Sequence, residues 1–301
     1  MQTNLKRLKA LRRFALAITV LNLLGHTILG FEQSHLQSVA ALLAAYFTET
    51  AIEVARIWGT GQKPRFLVGS LQDRVDFFLP PHISGLAVAM LTFASDRVWV
   101  VVFAAVVAIG SKVLLRAPVD GRMRHFMNPS NLGIAVVLAL FPSVSFAMPY
   151  QFTEIFTGIW GFLLPIVIIF TGSLLNAKLT GRLPLILGWL GAFVLQALLR
   201  AAFSDIRPFA ALNMMTGAAF ILFTFYMVTD PQTTPESKGA QVLFGASVSG
   251  FYGLLIVCGM NYTLPFALVV VCAIRGCYLW WRHWRETALP RGEAMIVPLS
   301  A

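Results

Sequence analysis

Few side chains in this sequence are equipped for chemistry, and most of those stand inside apolar runs. In "AYFTETAIEVARIW", Glu49 and Glu53 lie four residues apart on one helix face, with Arg56 three further on. Carboxylates at such depth in an apolar segment are paired, face a cavity or move an ion. Glu53 with Arg56 reads as a structural pair near a membrane border, whereas Glu49, set deeper, is the candidate for proton or cation handling. Lys112, in "AIGSKVLLR", lacks the GxxxxGK[ST] pattern of a phosphate loop and reads as a snorkelling lysine or an electrostatic partner for a bound anion. His26 reads as a hydrogen-bonded core histidine. His82, His125 and His283 fall at interfaces, too far apart in sequence to suggest a metal centre, and no HExxH or Cys/His cluster occurs, so no metal is predicted. Neither a Gly-x-Ser-x-Gly elbow nor a dinucleotide fingerprint after a strand is present, which excludes hydrolase and Rossmann readings. Cys258, Cys272 and Cys277 lie in the last two apolar runs without CxxC spacing and read as packing residues.

Two polar turns carry the sharper signal. In "RMRHFMNPSNLGIAVV", Asn128 precedes Pro129, a favourable first helical residue, so the Asn128 side-chain carbonyl is placed to cap a helix. One reading stops at a capped helix on a membrane surface. The other has the amide edges of Asn128 and Asn131, with backbone N–H groups at a positive helix end, binding an electron-rich or anionic ligand. The second turn, "TDPQTTPESKG", begins at Thr229 and Asp230 and is equally rich in capping and turn residues. Unpaired backbone groups are costly in hydrocarbon, so interrupted helices persist only where protein, a cavity or a ligand supplies partners.

The elements that must position these residues are membrane helices. Of the residues 57% are hydrophobic and 12% charged, with a mean hydropathy of +0.75, leaving too little polar surface to cover a soluble 301-residue globule. The expected fold class is therefore all-α and integral to the membrane, with the lipid bilayer as first partner. Ten spans are expected, over 12–31, 36–57, 82–95, 97–115, 129–148, 157–177, 183–203, 208–229, 239–259 and 262–281, the third too short to cross upright. The net charge of +10 sits in short loops, where Lys and Arg set orientation, so it points to topology and not to nucleic acid. Alternate loops carry that charge, which places both termini in the cytoplasm; Arg200, Asp205 and Arg207 on the opposite side are expected to pair among themselves. The first helix is expected to be retained and not cleaved as a signal peptide. One polytopic domain over 1–285 divides into five-helix halves, 1–150 and 151–285, expected to be inverted repeats with interrupted helices, followed by a cytoplasmic tail over 286–301.

Three segments together resemble the membrane-subunit family of NqrB and RnfD, from the sodium-pumping quinone reductase and the Rnf electron-transport complexes. They are "SGLAVAMLTFASDRVWVVVFAAVVAIGSKVLL", "HFMNPSNLGIAVVLALFP" and "FYMVTDPQTTPESKGAQVLFGASVSG". The likeness covers most of the chain and rests on the order and spacing of the three. It implies a multi-pass protein of the bacterial inner membrane that carries flavin and passes electrons within a larger complex of membrane and redox subunits. The family's asparagine-proline turn helps to hold a non-covalent flavin (riboflavin or FMN), a role carried to Asn128; the family's upstream asparagine is His125 here. Family members attach a covalent flavin to a threonine in a Ser-Gly-Ala-Thr motif. This chain has "PSVSFAMPYQFTEIFTGIWG" in its place, where Thr153 and Thr157 lack those surroundings, so no covalent FMN is predicted. The compact chain resembles the divergent UnbU branch, encoded with enediyne biosynthesis genes.

The leading functional expectation is an electron-transfer subunit without complete catalysis of its own. Its flavin or quinone pocket would be made where the two polar turns meet, with Lys112, Asn128, Thr229 and Asp230 as principal residues. The alternative is a transporter or channel, ion transport included, that uses the same broken helices as a substrate path and moves no electron.

Overall fold

The structure is a computed structural model that describes residues 2–146, 158–204 and 207–288. Its first half contains α1 (Gln2–Thr27), α2 (His35–Ile57), α3 (Leu71–Leu91), strand β1 (Thr92–Phe93), α4 (Val98–Leu114), the hairpin β2 (Arg116–Val119) and β3 (Arg122–His125), α5 (Pro129–Leu140) and β4 (Ser145–Phe146). The second half contains α6 (Trp160–Leu175), which runs into a π turn over Asn176–Thr180, then α7 (Leu183–Ala202) and α8 (Pro208–Leu212). After a 3₁₀ turn come α9 (Ala218–Leu222), a second π turn over Phe223–Met227, α10 (Lys238–Val257) and α11 (Thr263–Ala288). The strands form only two antiparallel pairs, β1 with β4 and β2 with β3.

Four helices, α2, α7, α10 and α11, are long and apolar enough to cross a bilayer; a fifth crossing would join Pro208–Thr216 to Ala219–Met227, bent by 66°. The others depart from ten full-length spans in instructive ways. α5 has 12 residues, about 18 Å of rise, too short to cross alone. α3 is not a short helix over 82–95: a capping box between Ser70 and Asp73 starts it at Leu71, and it has 21 residues. Its polar first turns escape a hydropathy window but are helical all the same.

Packing follows the small residues. α2 lies on α3 and α4, and α4 on α5; in the second half α7 lies on α10 and α10 on α11, while α5 against α11 joins the halves. Ala104, Ala105 and Ala108 of α4 are fully buried, and a Cβ on Gly133 of α5 would stand 2.3 Å from the Ala104 carbonyl oxygen. Only backbone-to-backbone contact fits there, the mode by which membrane helices gain dispersion energy without a hydrophobic drive. The second half centres on Trp189, fully buried among Phe193, Phe220, Phe223 and Tyr252, with its indole N–H donated to Thr224 Oγ1 at 2.9 Å.

Candidate functional site

Asn128 caps α5 as its spacing predicts: its side-chain Oδ1 accepts the Asn131 N–H and the Ser130 hydroxyl, each at 3.0 Å, with Pro129 at the first turn. What the sequence did not reveal is the other edge. Asn128 Nδ2 donates to the carbonyl of Met227 at 3.0 Å, reaching across 99 residues into the second half.

That carbonyl has no regular helical partner, because the helix there is broken; within the backbone it accepts only the Asp230 N–H, at 3.4 Å. Through the π turn Phe223–Met227 the backbone bonds widen, and Val228 N–H returns to Phe223 O. Carbonyls at the interrupted end then need other donors. Phe225 O receives the Thr229 hydroxyl at 2.8 Å and Asn176 Nδ2 at 3.1 Å, and Met227 O receives Asn128. Beyond the break, Arg182, nearly buried, donates to the carbonyls of Pro231 (3.1 Å) and Pro235 (2.6 Å) and so fixes the second polar turn.

The two turns thus meet, and between them lies a cavity of about 110 Å³. Phe14 of α1, Ser84 of α3, Lys112 of α4, His125 of the hairpin, Asn128 and Ser130 of α5, and Tyr226, Asp230 and Gln232 of the second half line it. Phe14 and Tyr226 meet edge to face at 5.5 Å. A smaller chamber of about 30 Å³ shares Phe14, Ile83, Ser130 and Tyr226 with the first, and its other walls are apolar.

Of the residues singled out in the sequence, the structure brings Lys112, His125, Asn128 and Asp230 to this cavity. Thr229 and Asn131 are buried away from it: the Thr229 hydroxyl is committed to Phe225 O, and Asn131 Nδ2 donates to Pro265 O at 3.0 Å, leaving its Oδ1 buried without a partner. Glu49 is not a lone carboxylate, because Lys112 Nζ reaches its Oε2 at 2.5 Å, both side chains being about 15% exposed. Glu53, 2% exposed, pairs with Arg56 at 3.1 Å and also with Arg65 at 3.0 Å. His26 hydrogen-bonds Ser38 at 2.9 Å. Cys272 is buried, whereas Cys258 and Cys277 are exposed. Thr153, Thr157, Asp205 and the tail beyond residue 288 lie outside the described residues. Among the described residues no group of His, Cys, Asp and Glu could hold a metal.

Sequence reasoning missed two polar clusters. His82, assigned to an interface, sits within the bundle and bridges Thr19 of α1 and Tyr46 of α2, at 2.7 Å to each. Its signal was available: eleven residues of helix precede it once the Ser70 cap is recognised. Arg182 offered no such local sign.

Neither a family model nor a curated protein matches the chain. The wall of the cavity combines a cation already held by a carboxylate, an imidazole, two amides and a second carboxylate around two aromatic rings. Such a wall suits hydrogen bonding to a polar planar group better than acid–base catalysis on a free substrate.

Proposed function

We propose that the chain is an electron-transfer membrane subunit of the NqrB and RnfD kind, holding a non-covalent flavin (riboflavin or FMN) or a quinone ring between its two polar turns. The observation that carries this reading is the Asn128 to Met227 hydrogen bond, which draws one turn from each half around a common cavity. Asn128 builds the wall in this reading, since both edges of its amide are committed to the protein; Ser84, Asp230 and Gln232 line the space that a ring would enter. At about 110 Å³ the cavity is smaller than the roughly 300 Å³ of a common ligand pocket, so entry requires Phe14 and Tyr226 to part. A bound flavin or quinone would supply the redox chemistry, and partner subunits the other carriers.

The finer architecture belongs to the same proposal: ten crossings in two inverted five-helix halves, both termini in the cytoplasm of a bacterial inner membrane, and a UnbU-like link to enediyne biosynthesis. The repeated packing order supports it, with the second helix of each half on the fourth and the fourth on the fifth.

Extraction of the detergent-purified protein tests the function. About one flavin or quinone per chain is expected, lost in Ser84→Leu, which fills the cavity wall, while the melting temperature holds. An extract that contains neither flavin nor quinone refutes it. A second reading, transport, is favoured by the small apolar chamber that continues the cavity into the bundle. Protein that yields neither flavin nor quinone and supports solute flux in vesicles, blocked by Ser84→Leu, would establish it.

A further inference from the structure

On the outer flank of the second half, α10 and α11 form an open groove of about 370 Å³. Its walls are Leu243, Phe244, Phe251, Val271 and Ile274, and Leu243 and Ile274 are 69% and 53% exposed, an arrangement suited to hydrocarbon. The groove has one cation, Arg275, half-buried beside Tyr278. Among the described residues no carboxylate pairs with Arg275 and its guanidinium makes no hydrogen bond. The titratable groups that interact with it are the buried thiol of Cys272 and two further guanidiniums, Arg124 and Arg182. Arg124 faces Glu236 at 3.6 Å, and Arg182 is occupied by the carbonyls of Pro231 and Pro235. A guanidinium set against apolar walls without a counter-ion is costly; Arg182 also feels Glu236 and Asp230, and Arg124 faces Glu236, whereas Arg275 has no carboxylate among the described residues and so favours an anion from outside the chain.

Depth identifies that anion. Trp280, Trp281 and Trp284, all exposed, follow Arg275 along α11, and the indole N–H of Trp280 ties to Arg116 O at 2.9 Å. Exposed tryptophans of this kind sit at headgroup level. Arg275 lies five residues, about 7.5 Å, deeper than Trp280, where headgroup gives way to acyl chain. The apolar walls continue from it along α10 and α11. A neutral quinone would leave the guanidinium uncompensated.

We propose that this groove binds an anionic phospholipid of the bilayer, its phosphate on Arg275 and an acyl chain along Phe244, Phe251 and Ile274. The site is separate from the cavity between the turns and does not depend on the function proposed for it. The full chain, placed in nanodiscs of phosphatidylcholine with or without phosphatidylglycerol, is released for native mass spectrometry. One phosphatidylglycerol is expected to stay bound in preference to phosphatidylcholine. Arg275→Gln is expected to lower that retention about tenfold, as for loss of one charge-assisted contact, and Leu243→Trp, on the exposed wall, to lower it independently. Arg285→Gln, whose guanidinium stacks 4.9 Å over Trp281, is expected to leave it unchanged. Equal retention of the two lipids, unchanged retention in both Arg275→Gln and Leu243→Trp, or equal thermal protection by inorganic phosphate would overturn the proposal.

Discussion

Gly245 of α10 faces the backbone of α7 with no room between them, and adding one methyl group tests that contact. A Cβ at this position would stand 2.4 Å from the carbonyl oxygen of Leu185 and 2.7 Å from the amide nitrogen of Trp189, where ordinary contact begins near 3.4 Å. Both neighbours are main chain, so no rotamer change relieves the clash and the helices must separate by roughly 1 Å. That separation would loosen the buried layer of Trp189, Phe193, Val248 and Tyr252. Overpacking of this kind costs about 1–3 kcal/mol, more than the ~0.5–1 kcal/mol that alanine returns through helix propensity. Gly250, on the same helix, has nothing within 4 Å of an added Cβ. Gly245→Ala should therefore unfold at lower denaturant than wild type, by about 1–2 kcal/mol, while Gly250→Ala should match or exceed wild type. Reversible unfolding in mixed micelles, followed by tryptophan fluorescence, reads both. Gly188→Ala should behave like Gly245→Ala, its Cβ falling 2.5 Å from Val242 O, and the double variant should be less than additive because one displacement relieves both clashes. Coincident unfolding of Gly245→Ala and Gly250→Ala would refute the close approach of α7 and α10.

Two further outcomes follow from the polar groups. Glu49→Gln and Lys112→Met should each destabilise by about 1–3 kcal/mol, below the figure for a fully buried pair because each side chain keeps some exposure; the double variant should recover most of that loss in a double-mutant cycle. An additive double variant would show that the two charges do not pair. Asn128→Ala loses both the cap and the donor to Met227 O and should cost about 2–4 kcal/mol, whereas Asn128→Ser keeps a capping oxygen alone and should fall between, again by unfolding midpoint. A midpoint for Asn128→Ser equal to that of wild type would mean that the link between the halves contributes nothing.

Local chemistry made part of the site legible. The cap at Asn128 depends on residues within one turn, and Glu53 with Arg56 are helical neighbours, so spacing alone found both. The limits of α2, α7 and α10 differ by at most two residues from the apolar runs, because a helix surrounded by apolar contacts ends where polar residues begin. Where helices carry polar first turns or stop inside an apolar run, as α3 and α5 do, hydropathy misjudged their length.

By itself the sequence determined the solvent, the helical class and the two turns where helices break, since these depend on composition and on neighbours a few residues away. Only the tertiary structure decided that Lys112 pairs with Glu49 across 63 residues, that Asn128 reaches Met227 across 99, and that Arg275 meets no carboxylate among the described residues. Such partners follow from how helices stack, and stacking is set by where glycine and alanine let backbones touch, a property of facing surfaces that no single segment contains.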